Sequence, residues 1–168
     1  MKTKVKLRLA ASVLGLLGAL LPLASQARKD SPARSGPEMA LVVHPDTPVR
    51  ELTLGDVRQV FRGDRQYWNK DLPVVVLVRD SGSREREVIL RVIYQMTEGQ
   101  YRQYWIARIF RAEAVSAPKV VDSNEVANEL LAAVPGSIAV IEAGKVRPGL
   151  KVIRVDGRLP GESGYALR

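Results

Sequence analysis

The chain has 168 residues, 26 Lys and Arg against 18 Asp and Glu, one His, no Cys and 46% hydrophobic residues. This composition fits one compact domain and excludes a collagen, a disordered tail and a disulfide-stapled miniprotein. The formal charge of +8 points toward nucleic acid until its distribution is read, because Lys2, Lys4, Lys6 and Arg8 crowd the amino terminus.

Those cations open residues 1–27, which continue as an apolar run through Leu7, Leu9, Val13, Leu14, Leu16, Leu17, Leu20, Leu21 and Leu23 and close on Ser25, Gln26 and Ala27. Basic start, apolar centre and small residues at the last and third-last places are the layout of a secretory signal peptide. Gly15, Gly18 and Pro22 break the run, and it is shorter than the ~20 residues that span a bilayer, which weighs against an uncleaved anchor. Four of the basic residues and none of the acidic ones lie in this segment, so the remainder carries 22 against 18. So mild an excess permits an anionic ligand and argues against a nucleic-acid partner. An exported chain without cysteine must rely on its core rather than on staples. Residues 28–38 (RKDSPARSGPE) are polar and without periodicity, a flexible leader to a folded domain over 39–168.

Within the domain, residues 40–43 form a short apolar run closed by His44, Pro45 and Asp46, suited to a buried, parallel-type strand. Thr53, three residues before Asp56, caps a helix that buries Val57, Val60 and Phe61 and stops at Gly63. After a loop holding Tyr67, Trp68 and Asn69, residues 73–78 (PVVVLV) carry the strongest strand signal in the chain. A helix follows with Val88, Ile89, Val92, Ile93 and Met96 on one face. Thr97 and Gln100 form a capping box for a further helix that turns Tyr101, Trp105 and Ile109 to the core and also carries Tyr104 and Phe110. After Pro118, residues 119–121 read as a strand. Asp122 with Glu125 reads as another capping box, for a helix with Val126, Leu130, Leu131 and Val134 inward. Residues 137–141 and 150–155 are the last strands, and the tail from Asp156 is turn-rich. Strands alternating with helices predict an α/β fold with a mostly parallel sheet covered on both faces.

In such sheets ligands bind beyond the carboxyl ends of the strands. The strand at 73–78 delivers Arg79, Asp80, Ser81, Gly82 and Ser83 to that edge, directly before a helix. Ser81 and Ser83 can donate hydrogen bonds, Gly82 allows close backbone approach, and Arg79 supplies a planar cationic fork suited to phosphate or carboxylate. The plainer alternative is that a serine caps the helix and Arg79 pairs with Asp80 or Glu85. Glu85 and Glu87 suit the helix dipole but would repel a phosphate they faced.

Taken in order, these segments resemble the PstS-type phosphate-binding proteins that serve ABC transporters, and specifically their second lobe. The resemblance runs through Val42, Val43, His44, Pro45, Pro48 and Val49; Leu52 and Thr53 to Val60, Phe61, Arg62 and Gly63; Trp68 and Asn69 with 73–79; and Ser81, Gly82, Ser83 and Arg84, which correspond to the family's phosphate loop. It continues through 135–140 (PGSIAV) and 152–157 with Pro160, Tyr165, Ala166 and Leu167. It implies one lobe of a type II periplasmic binding protein, located in the periplasm, with Arg79, Ser81, Gly82 and Ser83 as ligands for phosphate or a related oxyanion. The implied partners are a membrane transporter or sensor protein, or a second copy. Here the Arg stands closer to the loop than in typical members and Ser83 replaces a Thr. Family members are also about twice this length and close two lobes over the anion. A lone lobe offering four or five hydrogen bonds at ~1 kcal/mol each reaches only millimolar affinity. The competing expectation is therefore an interaction or regulatory domain that keeps the fold without useful phosphate affinity, which an Arg79 held in an internal ion pair would favour.

No catalytic site, cofactor or metal is expected. His44 is the only histidine and no Gly-x-Ser-x-Gly elbow is present, which argues against a hydrolase; one His and no Cys leave few transition-metal ligands. The mixture of Tyr101, Tyr104 and Trp105 with Arg102, Arg108 and Arg111 resembles an RNA-stacking surface, but helical spacing with the aromatics inward explains it more simply. Tyr67 and Trp68 are expected to pack beneath the sheet edge. Intact-mass measurement of the exported protein is expected to place its first residue at Arg28; a mass that includes residues 1–27 would mean an uncleaved anchor.

Overall fold

The structure is a computed structural model that describes residues 38–168; the predicted signal peptide, and all of the predicted leader except Glu38, lie outside the described residues. Two layers of helix enclose a five-stranded sheet of order β4-β3-β5-β1-β6. Its strands are β1 (Met39–Val43), β3 (Val75–Arg79), β4 (Lys119–Val121), β5 (Ser137–Glu142) and β6 (Lys151–Val152). β4 and β5 flank β3 in parallel, while β1 lies antiparallel between β5 and β6. Four strands therefore run one way, and β1 alone opposes them. The expected parallel character of β1 is thus corrected: an unbroken apolar run reports burial on both faces and carries no information about strand direction.

Alternation along β1 sorts the core into two halves, as the period-2 geometry of a strand requires. Met39, Leu41 and Val43 join Val57, Val60, Phe61, Val88 and Ile93, while Ala40 and Val42 join Leu77, Val121, Ala127 and Leu131. The first half is covered by α1 (Leu54–Phe61), α2 (Arg84–Val88) and α3 (Glu98–Phe110), the second by α4 (Asn124–Ala133). The predicted cap on Thr53 with Asp56 and the predicted capping box on Thr97 with Gln100 are both formed as capping boxes, whereas the one predicted on Asp122 with Glu125 is not.

Four local readings change. The helix begun by α2 widens to π winding over Ile89–Tyr94. Its late carbonyls are taken by α1, since Arg58 donates to the Val92 oxygen at 3.1 Å and Arg62 to that of Tyr94 at 2.8 Å, while the Tyr94 hydroxyl donates back to Phe61. On α3, Tyr101 and Trp105 are buried but burial stops there, leaving Ile109 and Phe110 at the surface. Phe110 lies about 140° around the helix from Trp105, so it cannot share its face. On α4 the inward residues are Asn124, Ala127, Asn128 and Leu131, with Val126 exposed, and the cap is Ser123 rather than Asp122. Asn128 can be buried because its amide donates to the Lys145 oxygen and accepts from Arg147 N, which satisfies its polar ends. Finally, the strand expected over 150–155 divides. β6 joins the main sheet, and β7 (Arg154–Val155) pairs in parallel with β2 (Glu51–Leu52), an element too short to show periodicity.

The tail is not merely turns, for Tyr165 and Leu167 are buried and Met39 N donates to the Leu167 oxygen. Burial pushes the Tyr165 hydroxyl up to about 12. Gly136, which opens β5, has φ +78, and a Cβ there would run into the Pro73 carbonyl. Gly136→Ala is expected to cost about 2–4 kcal/mol from left-handed strain and overlap together, measurable by urea unfolding.

Candidate functional site

At the carboxyl ends of β3 and β4 the chain leaves the sheet twice and enters a helix each time, α2 after Ser83 and α4 after Ser123. Asp80 N donates to the Val121 oxygen at 3.0 Å, extending the β3–β4 pairing to the loop. The four residues expected to bind an anion are consecutive or nearly so here, yet their free hydrogen-bonding capacity differs.

Arg79 is mostly covered, with 13% of its side chain exposed. Its Nη2 donates to Asp80 Oδ1 at 3.1 Å and to the Asp122 oxygen at 2.9 Å, and its Nε is buried without a partner. The Ser83 hydroxyl is fully used, donating to the Asp80 oxygen at 2.9 Å and accepting from Arg86 N at 3.2 Å as the cap of α2. Ser81 and Gly82 are exposed. Gly82 has φ +89 and nothing within 4 Å of the position a Cβ would take, so this turn is open and glycine serves its backbone conformation. The arrangement thus presents the Ser81 hydroxyl and an open backbone turn, backed by an Arg already half-neutralised by its neighbour.

Local pattern does not decide which way Glu85 faces. It is buried, and Asn124 Nδ2 donates to its Oε1 at 2.7 Å, so the carboxylate spans from α2 to the start of α4. Two helix amino termini supply favourable dipoles for that buried negative charge. The roles of Asn124, whose Oδ1 is buried without a partner, and of the Asp122 carbonyl were not foreseen. The available signal was positional, since β4 is parallel to β3 and must deliver its own helix start to the same edge. Behind the loop, Arg86 forms a two-pronged pair with Glu98 at 2.8 and 3.1 Å and lies over the Tyr101 ring, fastening α2 to α3.

The remaining candidates sit elsewhere. His44 is buried at the end of β1, its Nδ1 accepting from Asp46 N. Among the described residues no group of three His, Cys, Asp or Glu is placed to hold a metal, and no helix is long and apolar enough to cross a membrane. Trp68 is buried and donates to the Gly136 oxygen at 2.8 Å. Tyr67 corrects its expectation: it is 56% exposed and rims an apolar groove of about 380 Å³ at the amino end of β3, lined by Val60, Phe61, Val74, Val76 and Trp105. Of the two aromatics, Trp68 is the one that joins the core.

The Arg86 hydrogen bonds hold the Glu98 carboxyl below its ordinary 4.5, outweighing the opposing effect of burial. A lowered carboxylate stabilises the fold above its unfolded value, and that contribution is lost as pH falls through the folded value. Glu98→Gln is therefore expected to melt below the parent near neutral pH, with the gap closing toward about pH 3, as read by thermal denaturation across that range.

No protein-family model matches the chain. Its fold is similar to a putative phosphate ABC transporter substrate-binding protein with bound phosphate from Clostridium perfringens, at 22% identity and a TM-score of 0.58 over 71% of this chain and 45% of that one. It is likewise similar to an ABC-type phosphate transport receptor from Vibrio cholerae, at 20% identity and a TM-score of 0.58 over 73% and 48%. PstS from Borrelia burgdorferi aligns at 18% identity and a TM-score of 0.60 over 77% and 53%. The chain therefore spans about half the length of these structures, and the likeness is one of fold: a mixed α/β domain with a mostly parallel central sheet, as found in substrate-binding proteins of phosphate transporters.

Proposed function

We propose that this chain is an exported, periplasmic solute-binding-like module that binds rather than catalyses. In this reading Arg79, Ser81, Gly82 and Ser83 recognise phosphate or a related oxyanion, linked to phosphate ABC transport. The observation that carries the reading is the open, glycine-containing turn with an adjacent guanidinium, at the carboxyl edge of a sheet whose fold resembles phosphate-transport receptors. That edge is where α/β sheets take their ligands, and two helix starts add positive potential to it. With the Ser83 hydroxyl committed to the helix cap, contact falls to Ser81, the turn backbone and whatever part of Arg79 an anion can win from Asp80. A second copy or a membrane partner would have to supply the rest of the cleft.

A second reading is favoured by one observation, the engagement of Arg79 by Asp80 and by the Asp122 carbonyl. In that reading the domain keeps the fold without useful phosphate affinity and serves as an interaction or regulatory module for a transporter or sensor protein. Calorimetric titration of phosphate, with sulfate as control, separates the two. For the oxyanion module, phosphate binds in the millimolar range or tighter, and the double variant Arg79→Ala, Ser81→Ala loses it. Asp80→Asn, which frees the guanidinium, tightens it by about tenfold, or ~1.4 kcal/mol. No heat up to several millimolar in either the parent or Asp80→Asn would sink the oxyanion reading and leave the interaction module.

A further inference from the structure

Large apolar side chains left at the surface are not spread evenly. Ile106, Ile109, Phe110 and Val115 fall on the last turns of α3 and the turn that follows. Phe110 is 91% exposed and projects outward, and Val115, 100% exposed, stands on the rim of the groove beside Tyr67. Single exposed hydrophobic residues are ordinary, but four within so short a stretch mark a binding surface.

The charges around them decide what that surface fits. The acidic groups of this flank are already held, Asp64 by Arg108 at 2.6 Å, Glu113 by Arg111 at 2.6 Å and Glu98 by Arg86 at 2.8 Å. Arg102 on the outer face of α3 and Lys119 just beyond the turn are exposed and form no ion pair among the described residues. The uncompensated charge is therefore positive. A second copy would bring the same cations against themselves, which disfavours self-association through this face. Projecting apolar tips with flanking cations match an anionic bilayer surface, where side chains enter the headgroup layer while Arg and Lys stay at the level of the phosphates.

We propose that the end of α3 and the turn after it dock on anionic phospholipid, with Phe110, Ile106 and Val115 entering the interface and Arg102 and Lys119 holding the headgroups. This does not depend on whether the loop at Arg79 binds an oxyanion.

The chain has no cysteine, so Val115→Cys provides a single attachment point for an environment-sensitive fluorophore that reports on this face. Vesicles of mixed phosphatidylglycerol and phosphatidylcholine are expected to shift the emission at position 115 to the blue. Pure phosphatidylcholine should require about tenfold more lipid or worse. A label at Glu129→Cys, on exposed α4, should not respond, and adding Phe110→Ala and Ile106→Ala to the Val115→Cys protein should weaken the response by about tenfold. Four outcomes would overturn the proposal: no shift at 115, an equal shift with phosphatidylcholine alone, an equal response at 129, or a shift that grows with protein concentration without vesicles, which would assign the face to self-association.

Discussion

The carbonyl of Gly136 accepts two hydrogen bonds, from Trp68 Nε1 in the loop before β3 at 2.8 Å and from Val75 N at the start of β3 at 3.1 Å. Only a residue without a side chain can come this close to Pro73, so the start of β3 is pinned against the start of β5 at one position. Register in a sheet is all or nothing, because a slip of one residue exchanges the faces of every side chain. Fixing Val75 opposite Ser137 therefore fixes Leu77 on the α4 side, Val78 on the other, and the point at which Arg79 leaves the sheet. The loop at the carboxyl edge is positioned by a tryptophan and a glycine at the opposite end of its strand.

At that edge the electrostatics are balanced inside the protein. Arg79 has Asp80, and Glu85 has Asn124 and the amino ends of two helices. Burying a carboxylate beside a prospective anion site is costly unless its hydrogen bonds are made elsewhere, and the Asn124 amide meets that need by drawing Glu85 between α2 and α4. The outcome is a loop whose most exposed members, Ser81 and Gly82, are uncharged and stand beside an Asp80 side chain that is 48% exposed. On the proposed reading an anion would have to displace an existing partner of Arg79, and Asp80 would then set its affinity.

Much of this was legible in the amino-acid sequence where a signal was local. The capping boxes at Thr53 and Thr97, the helix stop at Gly63 and the apolar run into Arg79 each depend on residues within a few positions of one another, and each is found in the structure. What was not legible depended on distant partners. The inward turn of Asn124 and Asn128 on α4 contradicts hydrophobic patterning and makes sense only beside Glu85 and the backbone of residues 145–147. Ile109 fits the step of four that puts Tyr101 and Trp105 in the core, whereas the helix carries it past the last buried position. The site residues were identifiable by their place after a strand. The commitment of Ser83 and Arg79 to internal bonds is not decided by local pattern, since a cap and an anion ligand use the same atoms.

The hydrogen bonds that close the π-helical segment have a wider bearing on how this chain carries its charge. Arg58 and Arg62 end on main-chain oxygens there, and Arg65, Arg79, Arg108, Arg154 and Arg168 do the same elsewhere in the fold. Guanidinium groups in this chain thus act as multi-pronged clips for peptide oxygens that helix ends and loops leave open, a task for which a planar fork is suited and an ammonium is not. An isoelectric point near 10 is therefore partly a by-product of internal carpentry, and the basicity of the chain describes its scaffolding as much as its surroundings.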